Sequence, residues 1–387
     1  MTVRQLSDNQ LRETIRLSEY AFQYKVAKDD IDEWLEKLKK YHRVFGIYEE
    51  EQLAAKLHLL SFEVFLGAEK VKMGGVAGVA TYPEFRRRGY VKELLKHAFI
   101  YMKNHGVCIS MLHPFSVAFY RKFGYELLCQ QRKSTLTKSD LNIAQIAGGR
   151  IKRYNKENHS DDVERVYQQF AARHPGMLVR DRDFWLDFVY DDDWIAAVYY
   201  NTSHVPRGYI LYNIKDSKMK VEEFVPLDQD ARQGLWHFIC QHDSMVKEVV
   251  MVTPEQEPFF FTLAEPGVKT KIKPYGMVRI VDVLPFFKQY PFNWGSEGEG
   301  VFLHISDPFA AWNNLSLRLK DGEVKIVNHD AVDKGISLDI NALSTALFGY
   351  KRPAELYDIG RISGPKTSIE TFDGLIPNNK PFLYDYF

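Results

Sequence analysis

Residues 74–97 read GGVAGVATYPEFRRRGYVKELLKH, and this stretch decides the fold. Val76 to Thr81 is small, apolar and β-branched, the composition of a buried strand. Pro83 closes it. Arg86-Arg87-Arg88-Gly89 then forms a basic turn, and Val91, Leu94, Leu95 and Ala98 follow at helical spacing. A strand, a basic glycine turn and a helix start together make an anion site. The first backbone N–H groups of a helix point outward, and its dipole favours negative charge there. Gly89 removes the Cβ that would hold a phosphate at a distance, and arginine suits phosphate geometry. A solvated basic loop has the same composition, and Arg86 fits that plainer description best of the three.

Upstream, Leu11, Ile15, Leu17, Ser18 and Phe22 repeat as on a helix, and a second helix is predicted over 30–41 with Asp29 and Asp30 as caps. Strands are predicted over 43–49, 52–65 and 73–81. Downstream, 107–112 reads as a strand, 116–123 as a helix ending at Gly124, and 125–136 as another strand. Residues 139–149 read as a linker. A second unit then repeats the order, with helices at 161–174 and 183–190, strands at 194–200, 208–214 and 219–226, a helix at 230–242 and a strand at 248–252. Its stretch VEEFVPLDQDARQGLWHFICQH (221–242) copies strand, proline, turn and helix without the arginines. Asp228 and Asp230 stand there instead, and like charges repel, so this copy should not hold the same anion. A third unit begins near Leu284, with short strands at 300–305, 315–319, 324–327 and 336–339, then helices at 340–348 and 353–359. It ends in PNNKPFLYDYF, an aromatic tail whose composition is not that of a disordered segment.

Composition bounds the rest. A chain of 387 residues exceeds what one core serves, so two or three domains are expected. Lys+Arg and Asp+Glu are equal at 51 each, which argues against a nucleic-acid partner. Cys108, Cys129 and Cys240 form no CxxC pair, so they give no metal signal and suit a reducing, cytoplasmic setting. The start, MTVRQLSDNQ, lacks the apolar core of a signal peptide, and no apolar run approaches the length of a membrane span.

The residues carry a family resemblance. RRRGYV resembles the Q/R-x-x-G-x-G/A turn by which GCN5-related N-acetyltransferases (GNAT) cradle the pyrophosphate of acetyl-CoA, with Val91 in place of the final Gly or Ala. FYRKFGYELL, residues 119–128, resembles the later motif of the same superfamily, where a helix brings a tyrosine near the thiol. A GNAT unit, a degenerate second copy and a last domain like a sterol-carrier fold together resemble the Eis (enhanced intracellular survival) acetyltransferases. The resemblance implies an α/β (α+β) chain with an active GNAT domain at 1–140, a degenerate one at 150–284 and a sterol-carrier-like domain at 285–387. It implies acetyl-CoA as co-substrate, no metal, an amine such as an aminoglycoside as acceptor, and a homo-oligomer, the hexamer. Carried over by position, Val79, Ala80 and Thr81 pair with the pantetheine. Arg87, Arg88, Gly89, Tyr90, Val91 and Lys92 hold the pyrophosphate, and Phe115 and Ser116 line the other wall. Tyr120 is the implied proton donor and the Phe387 carboxylate the implied acceptor.

Each assignment has a plainer alternative. Tyr120 sits among Phe119, Phe123 and Tyr125 and would serve equally as a core aromatic. Ser116 is a helix cap as readily as a ligand. Phe387 is a chain end, and most chain ends fray, although no Lys or Arg follows Lys380 to neutralise its carboxylate. Asp29, Asp30, Asp32 and Glu33 read as a helix start rather than a site for a polycation, and Asp191 to Asp193 as a solvated turn. His97 and His105 read as surface or satisfied histidines, and His113, before Pro114 beside the groove, as a candidate substrate contact that is not catalytic. Three functions remain: an acetyltransferase acting on small amines, one acting on protein or peptide lysines, and a lipid- or partner-binding protein with a vestigial site.

Overall fold

The structure is a computed structural model that describes residues 2–142, 148–295, 300–328 and 335–387. Its first unit is built on β1 (Val3–Gln5), then α1 (Leu11–Phe22) and α2 (Ile31–Tyr41), then β2 (His42–Glu49), β3 (Gln52–Leu66) and β4 (Glu69–Thr81). These strands are antiparallel neighbours in chain order. The helix α3 (Tyr90–Asn104) crosses over to β5 (Ile109–Leu112), which runs parallel to β4. The short α4 (Val117–Arg121) leads into β6 (Glu126–Thr137). Strand alternation sends Ala55, Leu57 and Leu59 to one face, where they meet Leu94, Leu95, Ala98 and Phe99 of α3. On the other face Leu11, Ile15, Leu17 and Leu38 of α1 and α2 pack with Val44 and Ala80.

The predicted helix caps need one correction. Asp30 occupies the N-cap of α2, but its carboxylate accepts no capping hydrogen bond; Asp32 instead reaches Arg12 at 3.4 Å. Part of the predicted linker, residues 143–147, lies outside the described residues.

The second unit has β7 (Arg150–Tyr154), α5 (Asp161–Ala171), α6 (Arg182–Phe184), β8 (Ile195–Tyr200), β9 (Pro206–Lys215), β10 (Lys218–Pro226), α7 (Gln229–Cys240), β11 (Glu248–Pro254) and β12 (Lys269–Ile280). The helix predicted at 183–190 is therefore mostly the single π turn Trp185–Val189 that continues α6. One twelve-stranded sheet joins both units, in the order β1-β2-β3-β4-β5-β12-β6-β11-β10-β9-β8-β7. The last strand of the second unit is inserted between β5 and β6 of the first, antiparallel to both.

The third unit carries α8 (Val283–Gln289), β13 (Val301–Ser306), β14 (Leu315–Lys320), β15 (Glu323–Val327), β16 (Ile336–Asp339), α9 (Ile340–Leu347), α10 (Pro353–Asp358), β17 (Ile362–Ser363) and α11 (Lys366–Leu375). Its five strands make a separate sheet, β15-β14-β13-β16-β17. Every residue of α9 is buried, because it fills the seam between this sheet and the large one. There Asn341 Nδ2 donates to the Tyr125 carbonyl at 2.8 Å, and Thr345 Oγ1 to that of Leu127 at 3.0 Å. Arg279 of β12, fully buried, pairs with Asp307 and donates to the Phe123 carbonyl. Among the described residues, no helix is long and apolar enough to cross a membrane.

Candidate active site

β4 and β5 pair only from Met73–Ile109 to Val76–Leu112. β4 then runs on to Thr81 while β5 stops, so the two strands part and no described strand pairs with that edge of β4. Opposite β3 the register also slips: Ala77 pairs with His58 and Ala80 with Lys56, leaving Gly78 and Val79 in a bulge. Gly78 adopts φ +54°, a left-handed conformation that L residues resist, and a Cβ there would meet the His58 ring at 3.1 Å. The bulge leaves Gly78 and Val79 opposite the single residue Leu57, out of the regular β3–β4 ladder. Thr81 Oγ1 is buried with no hydrogen-bond partner, and so is His113 Nε2 across the opening. Unpaired backbone and orphaned polar atoms fit an amide-rich chain such as pantetheine, which supplies both donors and acceptors.

The basic turn sits at the end of this strand. Arg87 (φ +64°) and Gly89 (φ +84°) are both left-handed, and Gly89 is the N-cap of α3. A Cβ on Gly89 would meet no atom within 4 Å, so conformation rather than crowding calls for glycine. Arg87, Arg88 and Lys92 are exposed, with Arg88 over the Phe85 ring at 5.4 Å. Arg86 turns back and donates to the Thr81 carbonyl at 3.3 Å. Tyr90 is buried and bonds Glu49, and Val91 packs with the α3-side core.

Across the opening, Ser116 caps α4, its Oγ accepting from the Phe119 amide at 3.3 Å. Phe115 is largely exposed, at 75%. Tyr120 is buried, edge-on to Phe115 and Phe119 with centroids 5.5 and 5.2 Å away. It lies in the same apolar cluster as Val79, Val91 and Leu112. Desolvation pushes its phenol up to about 12, so it remains a proton donor through the neutral range. Its hydroxyl makes no hydrogen bond to a described residue.

The tail arrives from the far end of the chain. Gln131 donates to the Leu383 carbonyl at 3.1 Å, and Tyr384 Oη to that of Phe224 at 2.9 Å. Arg180, fully buried, bridges Asp385 at 2.8 Å and Glu223 at 2.6 Å. The Phe387 ring lies 5.1 Å from Phe62 and 5.1 Å from His113, and covers Gly75, where a Cβ would meet it at 2.9 Å. Burial pushes His113 down to about 4, so it is neutral. The chain end thus lies on β4, on the same strand as the bulge. Beside Phe62 a cavity of about 570 Å³ opens, lined also by Tyr41, Glu63, Asp181 and Phe184.

In the second unit the aspartates of the corresponding turn are engaged within the protein. Asp228 caps α7 by accepting from the Ala231 amide at 2.9 Å and pairs with Arg207 at 2.7 Å, while Asp230 accepts from Tyr199 at 2.9 Å. Two groups escaped the sequence reading. One is the Arg180–Asp385–Glu223 anchor. The other is a buried cluster of Ser18, Lys56, His58 and His42. Its signal lay in LAAKLHLL (53–60), where Lys56 and His58 share one face of an apolar strand.

Family models agree with this architecture. Acetyltransferase (GNAT) domain models match residues 2–128 and 176–280, and a sterol carrier protein domain model matches 283–384. The fold and the open β4–β5 cleft define the class: the chain is an N-acetyltransferase of the GNAT type, a class that uses acetyl-CoA as co-substrate. Among the described residues no cluster could hold a metal ion. The N-acetyltransferase Eis of Mycobacterium tuberculosis is 22% identical over 307 residues, 74% of this chain and 73% of that one. A probable N-acyltransferase from Enterococcus faecalis superposes with a TM-score of 0.92 at 26% identity, over 100% of this chain and 99% of that one. Eis1 from Mycobacterium abscessus superposes over the full length of both chains at 0.83 and 18%. Within its class the chain is similar to the Eis N-acetyltransferases.

Proposed function

We propose that the protein acetylates a primary amine of a small, polycationic acceptor of the aminoglycoside kind, by direct attack on acetyl-CoA. Val79, Ala80 and Thr81 pair with the pantetheine, residues Arg87 to Lys92 hold the pyrophosphate, and Phe115 and Ser116 bound the opposite wall. The Val79 amide stabilises the thioester oxyanion as it develops. The Phe387 carboxylate takes a proton from the ammonium, and Tyr120 gives one to the departing thiolate. The observation that carries this reading is the tail: a buried ion pair two residues from the end fixes a chain terminus against β4. Glu63 and Asp181 outweigh Lys72 on the lining of the adjoining cavity, which favours a cationic acceptor over a neutral one. The hexamer is inferred from the resemblance, and sedimentation of a stable monomer would refute it.

Thiol release from acetyl-CoA over a panel of amines, aminoglycosides and lysine peptides tests the proposal. Stimulation by small amines is expected; stimulation by peptides alone would transfer the function to protein lysines. Tyr120→Phe keeps the ring and removes the donor, and should lower kcat by about 10²-fold with little change in acetyl-CoA affinity. Unchanged kcat would exclude Tyr120 as the acid. Extending the chain past Phe387 displaces the carboxylate and should abolish turnover while acetyl-CoA still binds.

A further inference from the structure

Lys56 and His58 stand two residues apart on β3, so both project onto the face covered by α1. Lys56 Nζ lies 2.5 Å from Ser18 Oγ and 2.8 Å from His58 Nε2. The other ring nitrogen, His58 Nδ1, lies 3.1 Å from His42 Nδ1, with the two rings at 89°. An unbroken chain of nitrogens therefore runs from Lys56 to His42. Its inner end is buried, with Lys56 at 0% and His58 at 6% exposure. Its outer end, His42, is half-buried, and His42 Nε2 has no described partner.

The chain spans the active-site face. The His58 ring lies under the Gly78 bulge. His42 pairs in register with Leu60, and Leu60 with Gly75, the residue that the Phe387 ring covers. Neighbouring strands are about 4.8 Å apart, which sets His42 roughly 10 Å across the sheet from Gly75. The middle member thus touches the bulge, and the outer end, His42, shares the row on which the chain terminus rests.

A buried lysine kept charged needs a carboxylate, and none faces this one. From α1 the cluster receives Ser18, to which Tyr24 also bonds. β2 supplies His42, and β4 supplies Ala77, Gly78 and Ala80, which do not titrate. Burial pushes Lys56 down to about 7 and His42 to about 4, and His58 lies well below its ordinary value. Above neutrality all three are uncharged, so the chain can take up one proton.

We propose that Lys56, His58 and His42 form a proton relay that draws off the proton the attacking ammonium must lose. The proposal rests on the acetyltransferase reading above. An ammonium N–H bond breaks, and the proton passes from the amine to the terminal carboxylate and then, carried by water in the cavity lined by Tyr41, Leu60 and Phe62, to His42 Nε2. The His42 Nδ1 proton passes to His58 Nδ1, and the His58 Nε2 proton to Lys56 Nζ. Lys56 becomes an ammonium, and both histidines remain neutral in the opposite tautomer. The free amine attacks the thioester, and its second proton leaves on the thiol through Tyr120. Return of the stored proton to solvent through His42 resets the chain.

The pH profile of kcat tests this, with Lys56→Met, Lys56→Arg and His42→Gln beside the wild type. The wild type should lose turnover as pH falls through about 7. Both lysine variants should fall at least tenfold at pH 7.5, lose that inflection and keep their KM for acetyl-CoA. Arginine is charged at every pH and cannot release its proton, while methionine carries none and buries no charge, so failure of both, methionine included, separates relay from structure. His42→Gln, at the half-buried end, should reproduce the profile without threatening the fold. Wild-type kcat and inflection in these variants would overturn the relay alone. Absence of wild-type turnover with every amine would overturn the acetyltransferase reading instead. In that event NMR titration of ¹³Cε-lysine protein decides the relay: a Lys56 resonance still charged at pH 9, or unmoved by His58→Phe, would overturn it.

Discussion

Lys56 is buried completely between Ser18 and His58, and the low-dielectric surroundings push its ammonium down to about 7. The unfolded chain keeps that proton up to its ordinary value of 10.5. Between those pH values the unfolded state binds more protons than the folded one, so stability from this group rises with pH across the window. Below about 7 the full penalty persists. At about 1.4 kcal/mol per pKa unit the penalty at neutral pH is on the order of 5 kcal/mol, offset in part by the hydrogen bonds to Ser18 and His58. Lys56→Met removes the penalty and preserves the side-chain length. Thermal unfolding should therefore show the variant gaining on the wild type at pH 7, with the gain shrinking toward pH 10. A gain independent of pH would mean that the folded protein holds this lysine charged. Tyr120 illustrates the same physics with the opposite sign, since burial there protects a proton rather than expelling one.

At the scale of elements, the strand–turn–helix from Gly74 to His97 was legible because each part has its own signal: β-branched residues, a basic glycine turn, helical spacing. The β4 bulge was not, because a bulge is set by the partner strand's register and Gly78 is one of four glycines between 74 and 89. β12 was missed altogether. Its first half, KTKIK, alternates like an exposed segment, and its second half is buried only because β5 and β6 receive it on either side. β7 (RIKRY) was missed for a related reason, as an edge strand that carries charges. The bulge supplies a prediction at this scale. Gly78→Ala forces a Cβ into left-handed backbone and to within 3.1 Å of the His58 ring. Strain of this sort costs roughly 1–3 kcal/mol, and relief would straighten β4 and withdraw the Val79 amide. The variant should unfold at lower temperature and bind acetyl-CoA at least tenfold more weakly by calorimetry. Gly89→Ala meets no atom, so it should cost only the conformational part, about 1 kcal/mol.

Over the whole molecule, the site depends on parts that are hundreds of residues apart. The third unit delivers the tail, the second unit holds it, and the first unit receives its end. Arg180 is the clamp, fully buried between Glu223 and Asp385, with Tyr167 donating to Asp385 and Tyr209 to Glu223. Pairing across such distances leaves no periodic trace, which is why the aromatic tail could be read as packed while its anchor could not. Asp385→Asn is the discriminating change. It leaves Arg180 its second carboxylate, Glu223, so the buried guanidinium is not stranded, and the amide still fills the same volume. Removing Arg180 would instead strand two buried carboxylates at a cost of about 3–5 kcal/mol and would report on folding rather than on the tail. With Asp385→Asn the fold and acetyl-CoA binding should survive while the last residues loosen. Carboxypeptidase should then release Phe387 and Tyr386 faster than from the wild type. Turnover should fall in step with that release if a fixed terminus is what the reaction uses. Loosening without loss of turnover would mean that the carboxylate is dispensable, even though the fold goes to such lengths to bring it to β4.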